Sequence, residues 1–341
     1  MAKAKRTTKR VTIRDVARVA GVSVGAASTA LSKSQSNVAL SRETRERVIR
    51  VARELRYRPL AAARAMAGMR RHSVGVLATE FCMLGSFYSN VLRGIANEAN
   101  EHNCNLLLKI VRSKTDMENT TIFSEQQIDG VIIPADTETR TNAALVHYDI
   151  PHVWLNTELD QPVNCVHIDD VQGTMLAIDH LVALGHRHIG FVHHHTGERH
   201  HQTIKRECGY VQGLRKHGLL PMPTYDQYLD IGQHVSRYLA LEPRPTALVV
   251  YSDAIALLVC NELVRRGLRI PQDMSVVGHE GVVLHEFAYC RLTTVATPAE
   301  ELGRTAVRML LHQFEHGTPA PSVMLPEKLE VGASTAPPSQ L

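Results

Sequence analysis

The chain of 341 residues has a net charge of +4, but this figure hides two parts of opposite charge. Residues 1–72 carry 18 Lys and Arg against 4 Asp and Glu, whereas the other 269 residues carry 20 against 30. No apolar run is long enough to span a bilayer, and the basic N-terminus lacks the apolar core of a secretory signal. The six cysteines form no CxxC pair, which argues against a disulfide framework and favours buried thiols in a cytoplasmic protein.

Residues 11–59 are predicted to form three short helices. The first begins after Thr12, which can cap it, and ends at Gly21; the second begins after Ser23; the third begins at Ser41 and is broken at Pro59. Apolar residues recur at helical spacing, namely Ile13, Val16, Ala17 and Ala20, then Ala26, Ala27, Ala30 and Leu31, then Val48, Ile49, Ala52 and Leu55. Two short helices around a Gly-containing turn indicate a helix-turn-helix, and the basic charge of this part supports DNA binding.

Two segments flank this predicted DNA-binding domain. Residues 1–10 are basic, and we expect them to form a disordered arm close to DNA phosphates. Residues 60–70 contain the Ala-rich stretch LAAARAMAG, which favours a helix but is too short to be stable alone in water. One interpretation of this stretch is a plain linker helix.

Residues 73–335 alternate between buried strands and helices, a pattern that predicts parallel doubly wound sheets. About 270 residues are too many for one such sheet, so two lobes are expected. The strands are predicted at 73–78, 105–111, 129–135, 151–156, 166–170, 188–194, 247–253 and 274–280. Helices are predicted over 87–100, through 181–186 and near 299–313, and residues 336–341 form a tail without a leucine heptad.

Several motifs resemble the lactose/galactose repressor family of bacterial transcription regulators. They are TIRDVARVAGVS, SRETRERV and LRYRP in the basic part, and HIDDVQG, HLVALGHRHIGFV, RECGYVQGL, PTALVVYSD, GLRIPQDMSVVGHE and LTTVATPAEELGRTAV in the body. The resemblance implies a homodimer that binds a pseudo-palindromic operator in double-stranded DNA, in the cytoplasm and associated with the bacterial nucleoid. It also implies a body with the fold of periplasmic sugar-binding proteins, and a small molecule in the cleft between the lobes that controls operator affinity.

The resemblance places the DNA contacts on two elements. Residues 60–70 match the family's hinge helix, which orders on DNA and inserts an apolar wedge into the minor groove. The recognition helix carries Val24, Gly25 and Thr29 where relatives often have larger polar residues, so bidentate base contacts are missing and direct readout is expected to be weak. The DNA-binding residues implied in this way are Thr12, Ser23, Val24, Gly25, Ser28, Thr29, Ala63 and Met66.

The resemblance further implies an effector site in the cleft. Arg206, in RECGY, matches a family Arg that forks onto ligand hydroxyls or a carboxylate, and Glu280, in GHE, stands where relatives carry Asp. Trp154 is as easily a core residue as a platform for a ligand. Aromatic groups beside a few polar groups suit a sugar or a nucleoside. The full set is Phe87, Tyr88, Trp154, Arg206, Ser252, Asp253 and Glu280.

Histidines are crowded near the same site. They are His193, His194, His195, His200 and His201, before Arg206, and His279, before Glu280. Metal sites draw on this residue type, but the spacing is not diagnostic, so we expect neither a metal nor a cofactor. A cleft rich in His and Arg instead favours an acidic ligand such as a sugar acid.

Enzyme signatures are missing from the sequence. The one GxSxG match, GVSVG at residues 21–25, lies in the turn of the predicted helix-turn-helix and not after a strand, and there is no GxGxxG after a strand and no P-loop, so the chain is not expected to be an enzyme. Two other interpretations remain open. A free solute-binding receptor is opposed by the basic head and the missing signal, and a nucleic-acid enzyme would have to use the histidine cluster.

Overall fold

The computed structural model describes residues 11–31, 40–57, 73–78, 86–111, 127–134, 149–157, 163–193, 201–225, 230–282 and 290–339. The chain divides into two compact units, residues 1–71 and residues 72–341. The expected basic arm, the expected hinge helix with Ala63 and Met66, and residues 340–341 lie outside the described residues. Among the residues described, no helix combines the length and apolarity that a membrane crossing requires.

The first unit contains three helices, α1 (Ile13–Ala20), α2 (Val24–Leu31) and α3 (Arg42–Glu54). Thr12 and Asp15 form a capping box at the start of α1, and Gly21 ends it in the left-handed region at φ 65°. Ser41 caps α3 by accepting a hydrogen bond from the backbone of Thr44. The three helices share one small core, as the apolar spacing predicts: Val16, Ala17, Ala20, Ala27, Ala30, Val48, Val51 and Ala52.

The second unit contains two sheets, which we call lobe 1 and lobe 2 together with the helices packed on each. The sheet of lobe 1 is six-stranded and parallel, in the order β10-β5-β4-β3-β1-β2. Its strands are β1 (Ser73–Ala78), β2 (Asn105–Ile110), β3 (Gly130–Pro134), β4 (His152–Leu155), β5 (Cys165–Ile168) and β10 (Val323–Leu325). Helices α4 (Ser86–Glu101) and α9 (Ala299–His316) contact each other and share one core with this sheet.

The sheet of lobe 2 has five strands in the order β11-β9-β8-β7-β6, and β11 alone runs antiparallel to its neighbour. The strands are β6 (Ile189–Val192), β7 (Ala247–Val250), β8 (Ser275–Glu280), β9 (Thr293–Ala296) and β11 (Lys328–Glu330). Helices α5 (Asp170–Ala183) and α6 (His201–Lys216) share one core with the sheet. A second core contains α7 (Ile231–Leu239) and α8 (Asp253–Arg265).

The chain passes between the two lobes three times. The first crossover joins β5 to α5, the second joins β9 to α9, and the third joins β10 to β11. Each crossover is only one or two residues long. The elements on either side end and begin at Ile168 and Asp170, at Ala296 and Ala299, and at Leu325 and Lys328. A change in the angle between the lobes must therefore be absorbed at these short segments.

The predicted strands are all present, although several are shorter than expected. Two of the differences affect site residues. The strand predicted to end at Asp170 ends at Ile168, and the one predicted to end at Asp253 ends at Val250, because Asp169 and Ser252 cap the helices that follow. The pattern missed β9, β10 and β11; of these, β10 and β11 have only three residues each, too few to show a period of two.

The C-terminal segment is part of lobe 2 as far as the structure describes it. Ser334 is fully buried and exchanges hydrogen bonds with the backbone of Val276 in β8. Ala336, the first residue of the predicted tail, bonds to Ser275 and to the ring of His186. The tail therefore begins as an ordered piece of the fold and not as a free end.

Close packing of α4 against α9 explains two glycines. A Cβ on Gly94 would collide with the carbonyl oxygen of Glu300, and one on Gly303 would collide with that of Val91. We expect Gly94→Ala to destabilise the body by about 1–3 kcal/mol, because the backbone of α9 must move away and this outweighs the gain in helix propensity of up to ~1 kcal/mol. Urea unfolding followed by fluorescence of Trp154, the single tryptophan, measures the effect.

The matched control is Gly25→Ala in α2, where a Cβ meets only the hydroxyl of Ser23 at 3.9 Å. This substitution should leave the body transition unchanged. A Gly94→Ala chain as stable as the parent would show that the two helices separate at no cost.

Candidate functional site

Polar side chains gather where the strands of lobe 2 end at the crossovers. In open α/β sheets this edge is the usual place for a ligand. The residues come from β8, from the starts of α5 and α8, from α6 and from the crossovers, and they are Asp170, Arg206, Tyr251, Asp253, His279, Glu280, Thr297 and Glu327. Four of them stand out in the sequence as candidates, namely Arg206, Asp253, His279 and Glu280.

Arg206 lies at the centre of this cluster and is only 1% exposed. Its Nε donates to Oδ1 of Asp170 at 2.7 Å, and its Nη1 donates to the carbonyl oxygen of Tyr251 at 2.6 Å. The guanidinium also lies over the ring of Tyr251, at 4.8 Å from the centroid. Burial opposes the charge, but the surrounding acidic groups, Asp170 first, raise the pKa of Arg206 above its usual range. The positive charge is thus balanced within the protein.

Glu280 is a second residue that the resemblance assigns to an effector site, and its carboxyl lies near the Arg206 guanidinium. Its Oε1 lies 4.0 Å from Nη1 of Arg206, and its side chain is 18% exposed, unlike that of Arg206. The backbone of Glu280 has φ 101°, a conformation that costs free energy in a residue with a side chain. Burial raises the pKa of Glu280 to about 7. Glu280 thus combines a strained backbone at the end of β8 with a carboxyl that is partly accessible to a ligand.

Ser252 and Asp253 are held by contacts inside the lobe. The Ser252 hydroxyl caps α8 by accepting from the backbone of Ile255, at 3.4 Å. Asp253 accepts from the Thr294 hydroxyl at 2.6 Å and from the backbone nitrogen of Val282 at 2.7 Å. Burial raises the pKa of Asp253 to about 6. Both residues therefore support the floor of the site in the structure described.

Asp170, Thr297 and Glu327 were not predicted as site residues from the sequence. Glu327 is buried in the third crossover, where its two oxygens lie 2.9 and 3.0 Å from Nε2 of His279 and Oε1 accepts from the Thr297 hydroxyl at 2.7 Å. Burial raises the pKa of Glu327 to about 7 and keeps that of His279 well below its usual value. One signal was available, because HIDD ends a predicted strand with two carboxylates. No local pattern marks Glu327.

The predicted aromatic residues lie in lobe 1. Phe87 and Tyr88, in the first turn of α4, meet edge to face with centroids 5.1 Å apart. Phe87 is buried in the core, while Tyr88 is half-buried and lines a small apolar pocket with Val76, Ala78 and Leu155. Trp154 is 3% exposed and packs on the opposite face of the sheet, away from α4. This placement favours the core interpretation of Trp154.

The histidine cluster is only partly within the described residues, which include His193, His201 and His279. His193 and His201 are buried, and they do not join a metal-like group in the part of the chain that is described. The group there that could hold an ion is Asp170, His279 and Glu327, whose nearest ligand atoms lie within 4.8 Å of one another. Its oxygens already accept hydrogen bonds from Arg206 and Thr297.

The outer face of α2 carries the predicted DNA contacts. Ala27 and Ala30 face the core of the head, whereas Ser23, Gly25 and Ser28 are exposed and Val24 is 45% exposed. Thr29 is half-buried, and Thr12 is exposed at the start of α1. The exposed residues are small and uncharged, so this face fits closely against a surface but presents few long donors.

The buried pair between Arg206 and Asp170 allows a test of how much burial matters. Arg206→Met leaves the Asp170 carboxylate buried without its partner, and we expect a loss of about 3–5 kcal/mol in the free energy of unfolding. Adding Asp170→Asn removes the unpaired charge and should restore part of that loss. Circular dichroism during urea unfolding measures both variants.

The control is the pair between Lys216 and Asp179, which has the same 2.7 Å distance but lies at the surface, with the Lys216 side chain 52% exposed. Lys216→Met should cost less than about 1 kcal/mol, because water screens an exposed pair. Equal losses for the two single variants would mean that the Arg206 pair adds no more than a surface ion pair.

Comparison with known proteins agrees with the two-unit structure. The family model of bacterial regulatory proteins of the lacI family matches residues 12–59, and the model of the periplasmic binding protein-like domain matches residues 178–335. The transcriptional repressor CytR of Escherichia coli (strain K12) is 31% identical over 328 residues, which cover 92% of each chain.

Two solved structures extend the comparison. The lac repressor dimer bound to operator and the anti-inducer ONPF superposes with a TM-score of 0.81 at 26% identity, covering 96% of this chain and all of that one. A lacI family regulator from Enterococcus faecium with bound ribose gives a TM-score of 0.66 at 25% identity over 78% of this chain and 99% of its own. The resemblance seen in the sequence is confirmed, and these relatives are regulators and not enzymes. The chain belongs to the lacI family of bacterial regulatory proteins, as a ligand-responsive transcriptional repressor with a periplasmic-binding-protein-like body.

Proposed function

We propose that this repressor binds its operator as a homodimer through the outer face of α2, and that a neutral, hydroxyl-bearing molecule bound beside Glu280 and Arg206 controls operator affinity. The proposal is supported most directly by the charges beside the three crossovers, which we call the lobe junction. There Arg206 is paired with Asp170, and the carboxyl of Glu280 is partly exposed. A ligand held at the crossovers contacts both lobes, and it shifts the repressor between conformations to the extent that it binds them with different affinity.

The chemistry of the site favours a neutral ligand over the sugar acid that the histidines suggested. The charge of Arg206 is already matched by Asp170. The partly exposed group is the carboxyl of Glu280, and Asp253 and Glu327 add further acidic groups nearby. A carboxylate ligand would face like charges at this position, whereas the hydroxyls of a sugar or nucleoside can donate to Glu280. The ribose bound by the Enterococcus relative is a ligand of this kind.

The composition of α2 supports a mode of DNA recognition that relies little on base-specific hydrogen bonds. Val24 offers an apolar contact to a thymine methyl, and Thr29 offers one hydroxyl. Specificity would then depend on DNA shape and on the hinge, with Ala63 and Met66 approaching the minor groove. Two heads related by dimer symmetry read two half-sites, as expected from the dimeric lac repressor on its operator.

The first test of this proposal concerns the two-part charge. Operator affinity of the full chain should fall steeply with salt, because each neutralised phosphate releases counterions. A fragment that begins at Ser73 lacks 18 basic residues and should lose DNA binding while keeping its thermal transition. Fluorescence anisotropy on an operator selected from a random-sequence library measures both. Operator binding by the fragment would refute the assignment of DNA binding to the head.

The second test concerns the effector. Melting curves of the full chain with D-ribose, cellobiose, cytidine or D-glucuronate should show stabilisation by at least one neutral compound and none by D-glucuronate, because binding to the folded state raises the melting temperature. Glu280→Gln should weaken the binding of the stabilising compound by roughly tenfold, the effect of losing a charge-assisted hydrogen bond of about 1.5 kcal/mol or more.

Glu330→Gln is the matched control, since Glu330 is an exposed carboxylate at the end of β11. It should leave the binding of the same compound unchanged. Stabilisation by D-glucuronate alone would overturn the neutral class and restore the acidic ligand. An unchanged affinity in Glu280→Gln would place the ligand elsewhere.

A further inference from the structure

Backbone and side-chain contacts hold the three crossovers next to one another, beside the end of β8. The backbone nitrogen of Asp169, in the first crossover, donates to the carbonyl oxygen of Leu325, at the start of the third, at 3.1 Å. The backbone nitrogen of Thr297, in the second, donates to the carbonyl oxygen of Glu280 at 3.2 Å. Neither backbone bond joins all three crossovers. A side chain does.

That side chain is Glu327, whose carboxyl is completely buried. It accepts from Thr297 of the second crossover and contacts the ring of His279, which in turn lies 3.9 Å from the Asp170 carboxyl at the end of the first crossover. Because Glu327 itself belongs to the third crossover, one carboxyl connects all three. Pulling the second or the third crossover away breaks the hydrogen bond between Thr297 and Glu327 inside the protein, where the freed groups are not rehydrated, whereas the first crossover is reached through the 3.9 Å contact between His279 and Asp170.

The carboxyl of Glu327 also packs against α5, at a position where the helix has no side chain. Gly173, in the first turn of α5, has no Cβ, and a Cβ there would collide with the carboxyl of Glu327. The carboxyl thus occupies the space of a missing side chain. Its position is fixed by contact on the helix side as well as by hydrogen bonds on the crossover side.

His279 extends these contacts to the proposed effector site. It precedes Glu280 in β8, so its ring and the Glu280 carboxyl leave the strand in opposite directions. Glu327 fixes the ring from one side, and Asp170, which holds Arg206, lies near the same Nε2 atom. A displaced Glu327 would therefore loosen the end of β8 that carries Glu280 and remove the hydrogen bond that keeps the His279 ring beside Asp170.

We propose that Glu327 is a positioning residue for effector binding: its carboxyl ties the three interlobe crossovers together and, through His279, holds Glu280 next to Arg206. This inference rests on the proposed function of that site. An alternative use of the same atoms is a metal centre formed by Asp170, His279 and Glu327. The hydrogen bonds from Arg206 and Thr297 to these carboxylates favour the protein-only network.

The primary experiment compares amide hydrogen exchange of the full chain without ligand in the parent, Glu327→Ala and Glu330→Gln. In Glu327→Ala, peptides over 168–175 and 294–301, distant from residue 327 in sequence, should exchange roughly tenfold faster or more, while a peptide from α8 stays within about twofold. Glu330→Gln should match the parent. Faster exchange confined to 323–330, or an equal increase in every peptide, would overturn the proposal.

Gly173→Ala tests the same position without changing Glu327. It should accelerate exchange in the same two peptides by displacing the carboxyl. The double variant Gly173→Ala with Glu327→Ala should exchange no faster than Glu327→Ala alone, since the carboxyl that collides is gone. Effects that simply add would mean that Gly173 and Glu327 act separately, and would contradict the shared position.

The pH dependence of the melting temperature distinguishes the effect of a proton on the Glu327 carboxyl from the effect of its packing. The pKa of Glu327, raised to about 7 from 4.5, makes the folded chain hold a proton that the unfolded chain releases, so stability falls as pH rises through about 7. The charged groups that interact with Glu327 are Asp169 and Asp170 at α5, Arg206 in α6, and His279 and Glu280 in β8. Of these, His279 has the opposite sign, because its lowered pKa costs stability only below about pH 6.5.

Melting temperatures between about pH 6.5 and pH 8 therefore report mainly the carboxyls. Glu327→Gln, which keeps the volume but does not titrate, should show a shallower fall than the parent. The same samples are measured after EDTA treatment and after adding Zn²⁺. A parent whose melting temperature falls with EDTA and recovers with Zn²⁺, beside an unresponsive Glu327→Gln, would replace the network with a metal centre. These measurements use no effector, so they fail or succeed independently of the ligand panel.

Discussion

The buried pair between Arg206 and Asp170 is the interaction on which the lobe junction depends. A guanidinium that is 1% exposed is stable only with a partner, because removing an ion from water costs several kcal/mol. The partner is supplied by the first residue of α5, at the point where the chain enters lobe 2. The position of the first crossover is therefore tied to a side chain of α6, and the other polar groups of the junction are arranged around that pair.

One positive charge meets several carboxyls at this junction. Asp253, Glu280 and Glu327 all have raised pKa values, so protons offset part of the charge that Arg206 does not balance. A ligand that donates hydroxyl hydrogens to this region would compete with those protons for the same oxygens. With a ligand at the proposed site, binding, protonation and the position of the crossovers would be linked, and a repressor can use such linkage to convert occupancy of a cleft into a change of conformation.

Local patterns in the sequence were enough for the helices of the head and for the long strands of the body. Thr12, Gly21 and Ser41 act as helix caps and stops in the structure, because caps depend on residues three or four apart. The convergence of Arg206 and Glu280 was expected from the resemblance to the repressor family and not from any periodicity. The two residues indeed lie 4.0 Å apart.

Contacts between distant residues were beyond the reach of those patterns. Asp170 precedes Arg206 by 36 residues and His279 precedes Glu327 by 48, and no spacing rule connects either pair. The strand ends expected at Asp170 and Asp253 were wrong, because the side chains of Asp169 and Ser252 cap the helices that begin at the next residue. The strands therefore end before these caps. The role of Trp154 could not be predicted without its neighbours, because alternate residues of β4 face different cores.

Gly173 and Glu327 share one volume, and this has a consequence for how the family diversifies. In a lineage that keeps the acidic side chain at 327, alanine at 173 would displace that carboxyl from its hydrogen bonds, although alanine is the better helix former. The two substitutions are then coupled: alanine at 173 costs the contacts of the carboxyl while Glu327 is present, and costs none of them once that side chain is lost or shortened. Among homologues we therefore expect these two positions to change together, with a glycine at the first wherever the second carries a long carboxylate.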